Sequence, residues 1–142
     1  MSFHKILGID YGDSRTGVAI SDAMGWTAQP VETIDMKQGM EQVLARICEL
    51  IQQHDVKTVV VGFPLNMNGS IGPRAELTSA FIASLETLAP AVTFVKSDER
   101  LTTVMANRTM TALGIKTKKK RGLVDQIAAV QILQSYLDTK IK

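Results

Sequence analysis

The chain has one cysteine in 142 residues, Cys48. An internal disulfide is therefore excluded, and with His4 and His54 as the two histidines there is no Cys/His set at zinc-site spacing. Both histidines fall at the edges of predicted elements and are assigned no catalytic role. Cys48 lies among the apolar positions of a helix, as a core or half-buried residue. Long hydrophobic runs are missing too: none approaches the ~20 residues of a membrane span. Met1-Ser2-Phe3-His4-Lys5 leads directly into a strand without a signal-peptide pattern, so the expected location is cytoplasmic. There are no repeats at solenoid or propeller periods, no low-complexity tracts, and no Gly-Lys-Ser/Thr of a phosphate-binding P-loop. What remains is 45% hydrophobic and 21% charged residues. That is an ordinary globular composition, at a length that one domain over 1–142 fills.

Net charge is only +2, but it is unevenly spread. Residues 1–95 carry six Lys/Arg against ten Asp/Glu, whereas residues 96–142 carry ten against four. The excess is concentrated in Lys116, Lys118, Lys119, Lys120 and Arg121. Such a run is either a solvated loop or a contact for a phosphate backbone.

Two apolar runs, Ile6-Leu7-Gly8-Ile9-Asp10 and Thr16-Gly17-Val18-Ala19-Ile20, flank an acidic turn containing Gly12. They are short and rich in Ile and Val, which predicts two strands, the first covered on both faces. A third strand is expected over 26–34, with Pro30 marking an edge or a bulge, so these three form an antiparallel meander. Helical spacing of Met40, Val43, Leu44, Ile47, Leu50 and Ile51 predicts a helix over 38–53. A buried strand over 56–63 follows, then a helix over 74–88 opened by Pro73, and a strand over 92–96. Leu101, Val104, Met105, Met110 and Leu113 suggest a helix ending at Gly114, and a last helix is expected over 123–137. The order β-β-β-α-β-α-β-α-α implies an α/β fold with a mixed sheet, antiparallel in one half and parallel in the other, and helices on both faces. Ligands of such sheets gather beyond the carboxyl ends of the parallel strands. Trp26 and the methionines at helical spacing read as core residues.

Three acids stand where a purely structural reading is weak. Asp10 ends the first strand, Glu99 follows the last, and Asp125 heads the inward stripe Ala128, Ala129, Ile132 and Tyr136 of the final helix. Alone, Asp10 also reads as a turn aspartate, and Asp125 as a first-turn acid favoured by the helix dipole. If Asp10 and Glu99 end neighbouring strands and the final helix crosses that edge, the three carboxylates converge and repel one another without a cation. Hard Mg²⁺ or Mn²⁺ is the matching counter-charge. Two such ions about 3.5–4 Å apart can hold a scissile phosphate, activate a water and stabilise the leaving oxygen. Arg15 and Arg100 could bind phosphate oxygens or hold carboxylates. Asn66, Asn68, Gly69 and Ser70 offer donors beside a helix N-terminus, or simple turn chemistry. Lys118, Lys119, Lys120 and Arg121 complete the candidate nucleic-acid contacts.

Several motifs occur together in order: Gly8-Ile9-Asp10-Tyr11-Gly12, Arg15-Thr16-Gly17-Val18-Ala19, Gly62-Phe63-Pro64-Leu65-Asn66-Met67-Asn68-Gly69-Ser70 with Gly72-Pro73, Asp98-Glu99-Arg100-Leu101-Thr102-Thr103, and Lys119-Lys120-Arg121 through Asp125-Gln126 to Gln134. In this the chain resembles the YqgF family over nearly its whole length. That family's members are described as Holliday-junction resolvases and as nucleases that mature the 5′ end of 16S ribosomal RNA. The resemblance implies a ribonuclease H-like, five-stranded mixed sheet, its first three strands antiparallel and the later two parallel. It implies metal-binding catalytic carboxylates at Asp10, Glu99 and Asp125, with Asp98 adjacent to them. Phe63-Pro64-Leu65 is a mild departure from the expected Leu-Pro. The implied partner is structured RNA or branched DNA, with no membrane, and the chain acts as a monomer or a homodimer; a resolvase needs a symmetric dimer for paired cuts.

Two rival readings are of other classes. An Asp-x-Gly turn between strands also opens the nucleotide-binding folds of actin, heat-shock chaperones and sugar kinases, but those close two domains around ATP and this chain has room for one. The other rival is a nucleic-acid-binding adaptor that keeps the fold without cutting. The presence of all three acids favours activity over that reading.

Overall fold

The computed structural model describes residues 4–100 and 121–141, with side chains from 4–100 and 125–140. Five strands form one sheet: β1 (Ile6–Tyr11), β2 (Arg15–Ser21), β3 (Ala28–Asp35), β4 (Thr58–Phe63) and β5 (Thr93–Asp98), in the order β3-β2-β1-β4-β5. β1 and β2 are antiparallel, as are β2 and β3, while β1, β4 and β5 run parallel. The expected half-and-half sheet is the one observed. β3 is an edge strand, and its register against β2 slips between Val18 and Ala19, opposite Pro30. The proline thus sits at both of the places where a residue without an N–H is tolerated.

Helices α1 (Met40–Gln53), α2 (Pro73–Leu88) and α3 (Arg121–Ile141) cover the sheet. The period-two alternation of β1 decides which face each covers. Leu7 and Ile9, with Val18, Val59 and Val61, pack against Val43, Ile47 and Leu50 of α1 and Phe81, Ile82 and Leu85 of α2. On the other face Ala19 and Val60 pack against Ala128, Ala129, Ile132, Leu133 and Leu137 of α3. Gly8 lies beneath that helix, where a Cβ would stand 2.7 Å from Leu133 Cβ. The missing side chain lets α3 ride low on β1.

Element ends differ from the sequence expectation for identifiable reasons. α1 starts at Met40 because Gly39 has φ 97°, while Met36–Gln38 form a separate 3₁₀ turn whose Lys37 N–H is capped by Asp35. β3 begins at Ala28, not Trp26, since Asp22 Oδ1 accepts from the Trp26 and Thr27 N–H groups and closes a turn there. Trp26 is therefore 58% exposed, contrary to its reading as core, and Met40 at the start of α1, one of the methionines at helical spacing, is exposed as well. β5 runs on to Asp98, which pairs with Phe63. α3 is longer at both ends than the 123–137 expected. The expected helix over 101–114 and the run Lys116, Lys118, Lys119 and Lys120 lie outside the described residues.

Candidate active site

The carboxyl ends of β1, β4 and β5 and the first turns of α3 meet at one end of the sheet. Asp10 is the cross-strand partner of Gly17 on β2. The parallel register that sets Ile9 beside Val61 carries Asp10 level with Gly62 on β4. Across three strands the row therefore reads Gly17, Asp10, Gly62, on the face that α3 covers. Each glycine leaves room for an acid. A Cβ on Gly17 would overlap the Asp125 backbone carbonyl, and a Cβ on Gly62 would lie 2.8 Å from Glu99 Oε1. Asp10 thus has Asp125 over the strand on one side and Glu99 over the strand on the other, each displaced by roughly one strand spacing of 5 Å. The expectation that Asp10 and Glu99 end neighbouring strands is corrected here, because β4 lies between them. Glu99 joins the row by reaching over a residue that has no side chain.

Burial separates the three acids. Asp10 is 5% exposed and Glu99 2%, whereas the Asp125 side chain is 19% exposed and accepts from Arg15 Nε at 2.6 Å. Burial pushes the Glu99 carboxyl up to about 7, Arg74 pulls it down, and Asp98 adds to the rise. Among the described residues no group of three His, Cys, Asp or Glu side chains stands ready to hold a metal ion; Asp125 is directed to Arg15 instead. Asp98, on the opposite pleat from Glu99, is exposed and held below the usual carboxylate range by hydrogen bonds from Arg100.

Of the other candidates, Arg100 makes that bidentate pair with Asp98 and lies against the loop, 2.9 Å from where a Gly69 Cβ would sit. Asn66, Asn68 and Ser70 bond one another: Asn66 Nδ2 donates to Ser70 Oγ, which donates to Asn68 Oδ1. Gly69 at φ 88° completes this turn. Arg121 opens α3, and its side chain lies outside those described, as do Lys118, Lys119 and Lys120 entirely.

Sequence reasoning missed Arg74. In the first turn of α2, it donates to the Tyr11 carbonyl at 3.0 Å and pairs with Asp13 at 2.7 Å, tying that helix to the β1–β2 turn. A signal was present: an arginine directly after the Pro73 that opens a helix opposes the helix dipole and needs an external acid. Tyr11 is fixed from its other side by stacking on Phe81 at 4.3 Å.

A mixed sheet with this strand order, helices on both faces and acids at the ends of its central strands defines a ribonuclease H-like fold. Two solved structures share it: Thermus thermophilus RuvC in complex with a Holliday junction, at TM-score 0.61 and 14% identity over 97% of this chain and 96% of that one, and RuvC alone, at TM-score 0.56 and 13% identity. A family model, "RuvX: Holliday junction resolvase", matches residues 4–139, and the chain belongs to that family, the one its motifs resemble. A relative from Acetivibrio thermocellus is 57% identical over 97% of this chain and 98% of its own length, and one from a Geobacillus strain is 46% identical over 96% and 99%. Both carry the name "Putative pre-16S rRNA nuclease". Family and relatives together identify a nuclease, a hydrolase of phosphodiester bonds. No helix among the described residues is long and apolar enough to cross a membrane.

Proposed function

We propose that the chain is a divalent-metal-dependent nuclease acting on precursor 16S ribosomal RNA, with Asp10, Glu99 and Asp125 as its catalytic carboxylates. The observation that carries the chemistry is the row Gly17, Asp10, Gly62, with the Asp125 backbone seated over the first glycine and the Glu99 carboxylate over the second. The donor set fits Mg²⁺ or Mn²⁺: every candidate ligand atom is a hard carboxylate oxygen, and Glu99 is buried so deeply that its charged form needs a cation beside it. Such an ion would activate the attacking water and neutralise the leaving oxygen. Asp10, rigid in the central strand, and Glu99, over Gly62, would hold it. Asp125 would complete the set on turning from Arg15. Arg74 keeps the β1–β2 turn seated on α2, and Arg15, Arg100, Arg121 and Lys118, Lys119 and Lys120 are the candidate contacts to backbone phosphates. Asn66, Asn68 and Ser70 would present a preformed turn to the strand beside them.

The RNA substrate is supported by the near-full-length relatives at 46% identity and above. A second reading, a Holliday-junction resolvase acting as a homodimer, is supported by the family's description and by the junction bound to the RuvC of similar fold. Purified protein with Mg²⁺ is offered precursor 16S RNA and a four-way DNA junction, and its oligomeric state is measured alongside. The expected result is cleavage of the RNA that Asp10→Asn abolishes while binding persists. Junction cleavage by a dimer would favour the second reading. Cleavage by Asp10→Asn in metal-free buffer would overturn both.

A further inference from the structure

Three arginines stand at the rim of the carboxylate row, each engaged with an aspartate: Arg100 with Asp98, Arg74 with Asp13, and Arg15 with Asp125. Asp98 and Asp13 are exposed and lie outside the row. Asp125 is the one partner that is also a candidate ligand, and its 2.6 Å contact with Arg15 is the shortest ion pair among the described residues. We propose that Arg15 is a positioning residue that withholds Asp125 from the metal until a substrate phosphate draws the guanidinium away, so that metal and nucleic acid bind cooperatively. The inference rests on the metal-dependent nuclease reading.

Two features make this exchange a matter of side chains alone. The Asp125 backbone is pressed onto Gly17, so its carboxylate changes partner by rotation rather than by movement of α3. Arg15 is anchored in β2 opposite Asp35, so its guanidinium too moves on a fixed base. A divalent ion and a guanidinium on one carboxylate repel each other. Metal entry is thus opposed while Arg15 stays. Arg15 also lines a cavity of about 320 Å³ together with Asp13, Ser14, Asp35, Met36 and Lys37, in which the Asp13 charge is met by Arg74 and Asp35 accepts from the Lys37 N–H. A phosphate arriving there offers the guanidinium an equivalent charged partner, so one ion pair is exchanged for another and Asp125 is released to the cation. Linkage then requires the metal to tighten nucleic-acid binding by the factor that nucleic acid tightens the metal's.

The test titrates Mn²⁺ calorimetrically into the full chain without nucleic acid, comparing wild type, Arg15→Met, Arg15→Lys and Asp10→Asn. Arg15→Met is expected to bind Mn²⁺ about tenfold more tightly than wild type, with Arg15→Lys between. In parallel, fluorescence anisotropy follows a nuclease-resistant 2′-O-methyl oligoribonucleotide with and without Mn²⁺. The wild-type affinity should rise about tenfold with the metal, and in Arg15→Met that factor should fall towards one. An Arg15→Met protein that binds Mn²⁺ no better than wild type, while Asp10→Asn binds it poorly, overturns the latch and leaves the metal site standing. Mn²⁺ binding that survives Asp10→Asn overturns the metal reading itself. Should Arg15→Met not fold, the wild-type coupling decides, and an RNA affinity indifferent to Mn²⁺ refutes the proposal.

Discussion

Glu99 offers the sharpest quantitative test, because its burial has a measurable consequence that does not depend on substrate. The carboxyl titrates near 7 in the folded protein against an ordinary value of 4.5. Between those values the unfolded chain has released the proton and the folded one has kept it, so stability falls as pH rises through that window. At 1.36 kcal/mol per pH unit, the metal-free protein loses about 3 kcal/mol between pH 4.5 and pH 8 from this group. Glu99→Gln keeps the shape, stays neutral and removes that loss. The variant should match wild type near pH 4.5 and exceed it by up to about 3 kcal/mol at pH 8, roughly 10 °C in melting temperature for a chain of this size. Thermal melts in EDTA at half-unit intervals, plotted as the difference between the two proteins, isolate Glu99 from every other titrating group. A difference that stays flat from pH 4.5 to 8, or that favours wild type at high pH, would refute the burial argument. Activity should vanish in the same variant.

Metal should stabilise the protein in the opposite pH sense. At a Mg²⁺ concentration one hundred times its Kd at pH 8 the gain is about 2.7 kcal/mol, and at pH 5, where protonated Glu99 weakens binding by about a hundredfold, it should drop below about 0.5 kcal/mol in the same melts. Gly17→Ala drives a Cβ into the Asp125 carbonyl, which is backbone and cannot step aside. Urea unfolding should show a loss of about 3 kcal/mol, and an unchanged midpoint would mean that α3 does not press on β2 there. Arg74→Met severs α2 from the β1–β2 turn at an exposed ion pair, so it should lower stability by about 1 kcal/mol at pH 5. Because Arg74 also holds Glu99 down, the fall in stability should extend to higher pH in this variant.

The elements were legible because their signals are local. Alternation in Leu7 and Ile9, helical spacing in Val43, Leu44 and Ile47, and the β-branched run of β4 each follow from burial of one face or two. Pro30 announced an edge or a bulge, and the strand has both an edge position and a slip in register. Asp10, Glu99 and Asp125 were legible as acids out of place, since a carboxylate at the end of a buried strand or at the head of an apolar stripe needs an explanation beyond solubility. Trp26 misled because a single aromatic beside a strand carries no period, and the Asp22 turn that ejects it depends on a side chain reaching four residues along.

Periodicity along the chain settled which residues form strands and helices, which faces they bury, and that the fold is a mixed sheet covered on both sides. Distances between chain segments were beyond it. That β4 separates the strands of Asp10 and Glu99, that Gly17 and Gly62 make the room in which two acids approach a third, that Arg15 holds Asp125, and that Arg74 bridges α2 to the β1–β2 turn were decided only when the strands took their register. The reason is physical: burial and backbone conformation are properties of a residue and its sequence neighbours, whereas the electrostatics of a site belong to groups up to 110 residues apart, as Arg15 and Asp125 are.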